Sequence, residues 1–122
     1  MKYEIVIEGA TPPSKNQTKS WHWAKRAKVK KEWEESIGWL LKAKKVPKMQ
    51  KCYMQVLISF ADNKKRDEHN FLHDALADSL VKAGIIPDDC GKYLIIAMPV
   101  FVDDDKKYTK LILEELKVGG TD

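Results

Sequence analysis

Of the whole chain, Tyr53–Phe60 most restricts the fold, because it alternates through eight residues without a proline, a glycine or a charge. In extended backbone, Tyr53, Gln55, Leu57 and Ser59 share one face, and Met54, Val56, Ile58 and Phe60 share the other. The second face is the more apolar, which makes it the buried side of a sheet. Such a strand, with a helical pattern before it and another after it, calls for a layered α/β or α+β domain.

The pattern before it runs from about Ala24 to Lys42. Val29, Trp33, Ile37, Leu40 and Leu41 recur at intervals of three and four, with lysines on the opposite face. Gly38 weakens this helix, and Pro47 lies beyond its end. The pattern after it runs from about Phe71 to Ala83, with Leu72, Ala75, Leu76, Leu80 and Ala83 as its core side and Gly84 as its stop. Alternation at Met1–Glu8 sets Tyr3, Ile5 and Ile7 against Lys2, Glu4, Val6 and Glu8, and predicts a first strand. Leu94–Val102 predicts a third, interrupted by Pro99 and therefore at an edge or a bulge. Asp103-Asp104-Asp105-Lys106 reads as a hairpin turn into a fourth strand over Lys107–Leu116. The expected architecture is one mixed sheet with two helices in the order β-α-β-α-β-β. It forms a single domain over residues 1–118, and Gly119-Gly120 opens a flexible tail over 119–122. Trp21-His22-Trp23 is expected to anchor the first helix on the core.

Charge is unevenly spread. The net charge is +4, yet between Lys15 and Lys51 there are 12 Lys and Arg against 3 Glu. A basic flank of this kind suits a polyanion, and it also suits a solvated helix face. Cys52 and Cys90 form no close-spaced metal motif, and two cysteines are too few for a disulfide scaffold. With no apolar run long enough to span a bilayer, the expected setting is the cytoplasm, with reduced thiols.

Candidate chemistry lies in Lys64-Lys65-Arg66-Asp67-Glu68-His69-Asn70 and in the Asp88-Asp89 pair that follows Pro87. Carboxylates gathered from two ends of a helix, beside cations, are what a metal-assisted attack on phosphate needs. In extended backbone Asp67 and His69 point the same way, whereas in a helix they lie about 200° apart. Asn70 suits the cap of the following helix, and capping by Asp67 or Asn70 needs no ion at all.

Arg66-Asp67-Glu68-His69-Asn70, Leu80-Val81-Lys82-Ala83-Gly84 and Pro87-Asp88-Asp89 together resemble the RusA family of Holliday junction resolvases. The family's pattern is Asp-x-Asp-Asn, a helix ending near Lys-Ala-Gly, and a closing Asp-Asp. Pro12-Pro13-Ser14-Lys15-Asn16 is similar to its Pro-Pro-Ser-x-Asn loop, so the resemblance spans Tyr3 to about Leu94 in the same order. It implies a homodimeric, magnesium-dependent endonuclease of phage or prophage type that cuts four-way DNA junctions in recombination and repair. Asp67, Asn70, Asp88 and Asp89 take the catalytic positions, and Asp67 and Asp89 are metal ligands. Lys15, Asn16, Lys19, Lys64, Lys65 and Arg66 are the DNA-contacting candidates.

Two departures from the family's pattern bear on the chemistry. His69 stands at the second Asp, which would favour Mn2+ beside or above Mg2+, and His73 stands at a lysine. Asp74, four residues after Asn70, is a further candidate ligand. A junction-binding dimer with weakened chemistry is the alternative these histidines favour. A histidine-metal hydrolase unrelated to nucleic acid is a third reading, which the basic asymmetry opposes.

Overall fold

The computed structural model describes residues 2–11, 19–60, 74–88, 90–97, 99–102 and 104–116. Their elements are β1 (Lys2–Glu8), α1 (Trp23–Ala43), β2 (Cys52–Phe60), α2 (Asp74–Lys82), β3 (Leu94–Ile96), β4 (Val100–Phe101) and β5 (Lys107–Glu115). All five strands join one mixed sheet in the order β1-β5-β2-β3, with β4 also on β2. The expected class, an α+β domain with one sheet and two helices, is the observed one. The start expected for the second helix at Phe71, and the 119–122 tail, lie outside the described residues.

β5 is antiparallel to both of its neighbours, so β1 and β2 run in the same direction with β5 between them. β3 and β4 pair with β2 in parallel, at Cys52↔Leu94 and at Leu57↔Val100. They are the two halves of one edge strand broken around Pro99, which has no amide hydrogen to give a ladder. The β1-α1-β2 and β2-α2-β3 crossovers advance in one direction across the sheet, and the right-handed rule then puts both helices on the same face. Burial agrees. Ile5, Met54, Val56, Ile58, Leu111 and Leu113 are fully buried, and the register aligns them on a single face.

The hairpin expected at Asp103–Lys106 is not formed. β4 and β5 lie on opposite sides of β2, and the chain passes over the end of β2 between them. Ser59 is built for that passage: it is fully buried, and its hydroxyl donates to the Lys106 carbonyl at 2.6 Å. On the far face of the sheet Val6, Ile95 and Val100 are partly exposed. There Lys110 pairs with Glu4 at 2.6 Å and holds its carboxyl below the usual range, first through the hydrogen bond and then through charge.

α1 buries Trp33, Ile37 and Leu41, the centre of the expected stripe. Trp23 is 74% exposed and does not anchor the helix on the core. Instead His22 caps it, with Nδ1 accepting from the Ala24 amide at 3.2 Å. In α2, Leu76 and Leu80 are buried as expected and so are Ala77 and Ser79, whereas Ala83 is exposed, because the helix has already ended at Lys82. Two ion pairs tie the helices: Lys30 to Asp78 at 2.6 Å and Glu34 to Lys82. The partners are four residues apart on each helix, so α1 and α2 run side by side in the same direction.

Both helices stop in the same way. Beyond α1, the Lys45 amide donates to Lys42 and the Val46 amide to Leu41; beyond α2, Gly84 donates to Val81 and Ile85 to Leu80. Each is a Schellman turn, whose reversal requires a positive φ at its penultimate residue. Gly84 meets that requirement at φ 78°, the role expected of it, but at the other helix the residue is Lys45, at φ 53°. Left-handed backbone costs a side-chain-bearing residue about 1–2 kcal/mol, partly offset in a variant by the extra unfolded-state freedom of glycine. Lys45→Gly is therefore expected to raise the melting temperature by about 3–5 °C; calorimetry checks this.

The two cysteines differ sharply. Cys52 is fully buried beneath α1 and α2 in the core, whereas Cys90 is exposed. Burial pushes the Cys52 thiol up to about 11, so at pH 8 only about one molecule in a thousand carries the thiolate. A thiol reagent at pH 8 is expected to titrate one cysteine rapidly in the native protein and two in denaturant. Two rapid equivalents in the native protein would contradict the placement of Cys52.

Candidate nucleic-acid and metal site

The topology sorts the candidate residues by sheet end. β1 and β2 are parallel and one strand apart, about 10 Å between axes. The chain leaves β1 at Glu8 towards Lys15 and Asn16, and leaves β2 at Phe60 towards Lys64, Lys65, Arg66, Asp67, His69 and Asn70. These eight residues, with His73, lie outside the described residues, but both connections start from the carboxyl ends of parallel strands that flank β5. In open α/β sheets that end is where ligands bind.

The starts of both helices gather at the same end. From the two interhelical ion pairs, Arg26 in the first turn of α1 lies level with Asp74, the first residue of α2. Unpaired amides at a helix start carry partial positive charge and favour anions. Around α1's start stand exposed Lys19, Lys25 and Arg26, with the Lys25 ammonium 4.4 Å from the centre of the Trp21 ring. Arg26 also donates to the Lys19 carbonyl at 3.3 Å, which ties the segment before the helix to its first turn. The Trp21-His22-Trp23 aromatics thus decorate a basic, solvent-facing end of the helix.

Asp88 lies at the other end. Ile85 accepts from the Met49 amide at 2.8 Å and Tyr93 accepts from Cys52 at 2.8 Å, so the 85–93 loop sits at the amino end of β2. Asp88 is exposed there, and Asp89 lies outside the described residues. α2, with nine residues, separates the two acidic groups by about 13 Å along its axis. Asp67 is seven residues from Phe60 and seven from Asp74, and seven extended residues span up to about 23 Å, so a shared site within one chain is within its reach. Asp74 opens α2 on the 61–73 side. Among the described residues no three His, Cys, Asp or Glu side chains form a cluster that would hold a metal.

Asp104 and Asp105, read as turn residues in the sequence, stand exposed at the carboxyl end, where the chain crosses β2. The Lys106 amide donates to the Asp104 carboxylate at 3.4 Å, a turn contact as expected of Asp. Tyr108 follows, its hydroxyl pushed up by desolvation and then by its hydrogen bond to Asp104. No signal in the sequence places these acids at the carboxyl end of β2, because the hairpin reading sends the chain elsewhere.

A scan against protein-family models finds no match to this chain, and a search of curated proteins finds none either. No helix among the described residues is long and apolar enough to cross a membrane.

Proposed function

We propose that this chain is a divalent-metal-dependent endodeoxyribonuclease that acts on four-way DNA junctions as a homodimer. The observation that carries the reading is the common origin of two connections. Those bearing the RusA-like Pro12–Asn16 and Arg66–Asn70 motifs leave the two parallel strands on either side of β5 at one sheet end, beside a basic helix start. Twofold symmetry in a dimer would match a junction whose opposing strands are cut in pairs.

The donor set fits a hard divalent ion. Asp67, Asp89, Asp88, Asp74 and the Asn70 carbonyl offer oxygen ligands, which suit magnesium, and His69 adds a nitrogen that suits manganese. When bound, the ion supplies charge neutralisation at phosphate and a more acidic water. In the reaction the water oxygen bonds to phosphorus as one ester P–O bond breaks, leaving a phosphate end and a hydroxyl end. Asp67 and Asp89 would hold the ion; Lys64, Lys65 and Arg66 would hold the flanking phosphates, together with Lys15, Asn16 and Lys19.

The test is incubation of a synthetic four-way junction and a linear duplex of the same sequence with magnesium and with manganese. Paired nicks in the junction alone support the reading. Tight junction binding without nicks in either metal supports the second reading, a binding dimer with weakened chemistry, which His69 and His73 favour. No preference for the junction in binding or cleavage overturns both. His69→Asp restores the RusA-like pattern and is expected to raise magnesium-supported nicking by about tenfold, with little change in manganese. Initial rates in the two metals check this.

A further inference from the structure

Two residues in the first helix and its stop are poor choices for local stability, and both line the same cleft. Lys45 occupies the left-handed position that Gly84 fills at the equivalent turn of α2. Gly38 lies in the middle of α1, where alanine would favour the helix. A side chain added there meets nothing within 4 Å, so no packing among the described residues demands glycine. Local rules broken without a structural return mark functional positions.

The cleft runs between α1 and α2 near their ends and has a volume of about 740 Å³; Lys31, Gly38, Lys42 and Lys45 are among its lining. Four lysines and two glutamates line it, and one lysine, Lys82, is paired with Glu34. Lys31, Lys42 and Lys45 are exposed and have no acidic partner among the described residues. A smaller hollow of about 300 Å³ shares Glu35, Gly38 and Lys42 with it and is bounded by Trp39. Trp39 is 75% exposed on the solvent side of α1. An open aromatic face, a floor cleared of side chain and a row of cations form together what an unpaired nucleotide needs: a stacking surface for the base and charge for the phosphates.

We infer that this cleft binds a stretch of single-stranded nucleic acid, with one base stacked on Trp39 and backbone phosphates on Lys42, Lys45 and Lys31. The inference rests on the nucleic-acid reading above, and it assigns unpaired strand to a surface at the opposite sheet end from the 61–73 connection. Duplex is excluded from the same role because its bases are stacked on one another. The lysines also complement the partial negative charge of the two helix ends, but that function would be met without Trp39 exposed or Gly38 open.

The experiment is fluorescence anisotropy with a labelled oligothymidylate of about 15 nucleotides, and with a duplex of equal length, at several salt concentrations. Trp39→Ala is expected to weaken oligothymidylate binding about tenfold, with less than about a twofold change on duplex. Lys45→Gly and Gly38→Leu are each expected to raise the melting temperature while weakening oligothymidylate binding several-fold. Lys45→Gly also flattens the salt dependence by about 0.7 in the log–log slope, one single-strand phosphate contact. Unchanged oligothymidylate affinity in all three variants, an equal loss on duplex, or no binding by the wild-type protein overturns the inference. Junction cleavage accompanied by any of these results would leave the nuclease reading standing and remove this one. Oligothymidylate binding lost in the variants, in a protein that never cuts junctions, would do the reverse.

Discussion

Four-way junctions incubated with Asp67→Ala or Asp89→Ala protein are expected to stay uncut, with rates at least about a thousandfold below wild type. Metal ions stabilise phosphoryl transition states by several kcal/mol, and each 1.36 kcal/mol is a factor of ten. Junction affinity should change by less than about twofold, because the phosphate-holding cations remain. Circular dichroism and calorimetry on both variants check that the loss is of chemistry and not of fold; the core formed by the described residues is built from the inner sheet face and the helices. The pair of variants also decides a geometric question. Asp67 precedes α2 in the chain and Asp89 follows it, with a helix about 13 Å long between them in sequence. Loss of cleavage in both places them in one working site. Loss in Asp67→Ala alone would confine the chemistry to the connection and leave Asp88-Asp89 as loop residues. Wild-type rates in both would remove the metal assignment altogether.

Leu111→Ala is expected to be the most damaging single truncation in the sheet. Leu111 is fully buried on β5, with Ile5 directly across on one side and Val56 on the other. Removing its side chain opens a cavity walled by two strands that cannot collapse inward, at a cost of about 2–5 kcal/mol. Against a total stability of about 5–15 kcal/mol, this lowers the melting temperature by roughly 10–20 °C. Val6→Ala is the control. Val6 pairs with Lys110 on the opposite face of the same ladder and is 39% exposed, so truncation there should cost less than about 1 kcal/mol. Equal losses in calorimetry would mean that the inner and outer faces have been assigned the wrong way round.

Strand identity was legible because alternation is a local property. Ile5 and Ile7, and Met54, Val56 and Ile58, are buried on the face their spacing predicts. Strand partnership was not legible, because nothing within Lys107–Glu115 states that it will lie between β1 and β2 rather than fold back on β4. Solvent exposure of Trp23 was equally hidden, since large aromatic residues are ordinarily taken for core. Lys45 in left-handed backbone follows from where α1 stops, and a run of lysines does not announce its stopping point. The candidate site divides in the same way. Its residue types were readable as acids, an amide and cations, whereas their meeting depends on how 61–73 runs past α2, which residue spacing bounds without fixing.

The position of β5 has a consequence for how the protein is made. Lys2 pairs with Glu114, so among the described residues β1 has no strand beside it until β5 has been synthesised. While the ribosome is still adding residues, β2 can gather β3 and the helix pair α1 and α2, but β1 must wait with apolar side chains such as Ile5 and Ile7 uncovered. Closing so long a loop comes late and slows folding, and a waiting edge strand invites pairing with another chain. The charges at Lys2, Glu4 and Glu8, alternating with the apolar residues of β1, would keep that nascent edge from sticking to its neighbours until its own partner emerges.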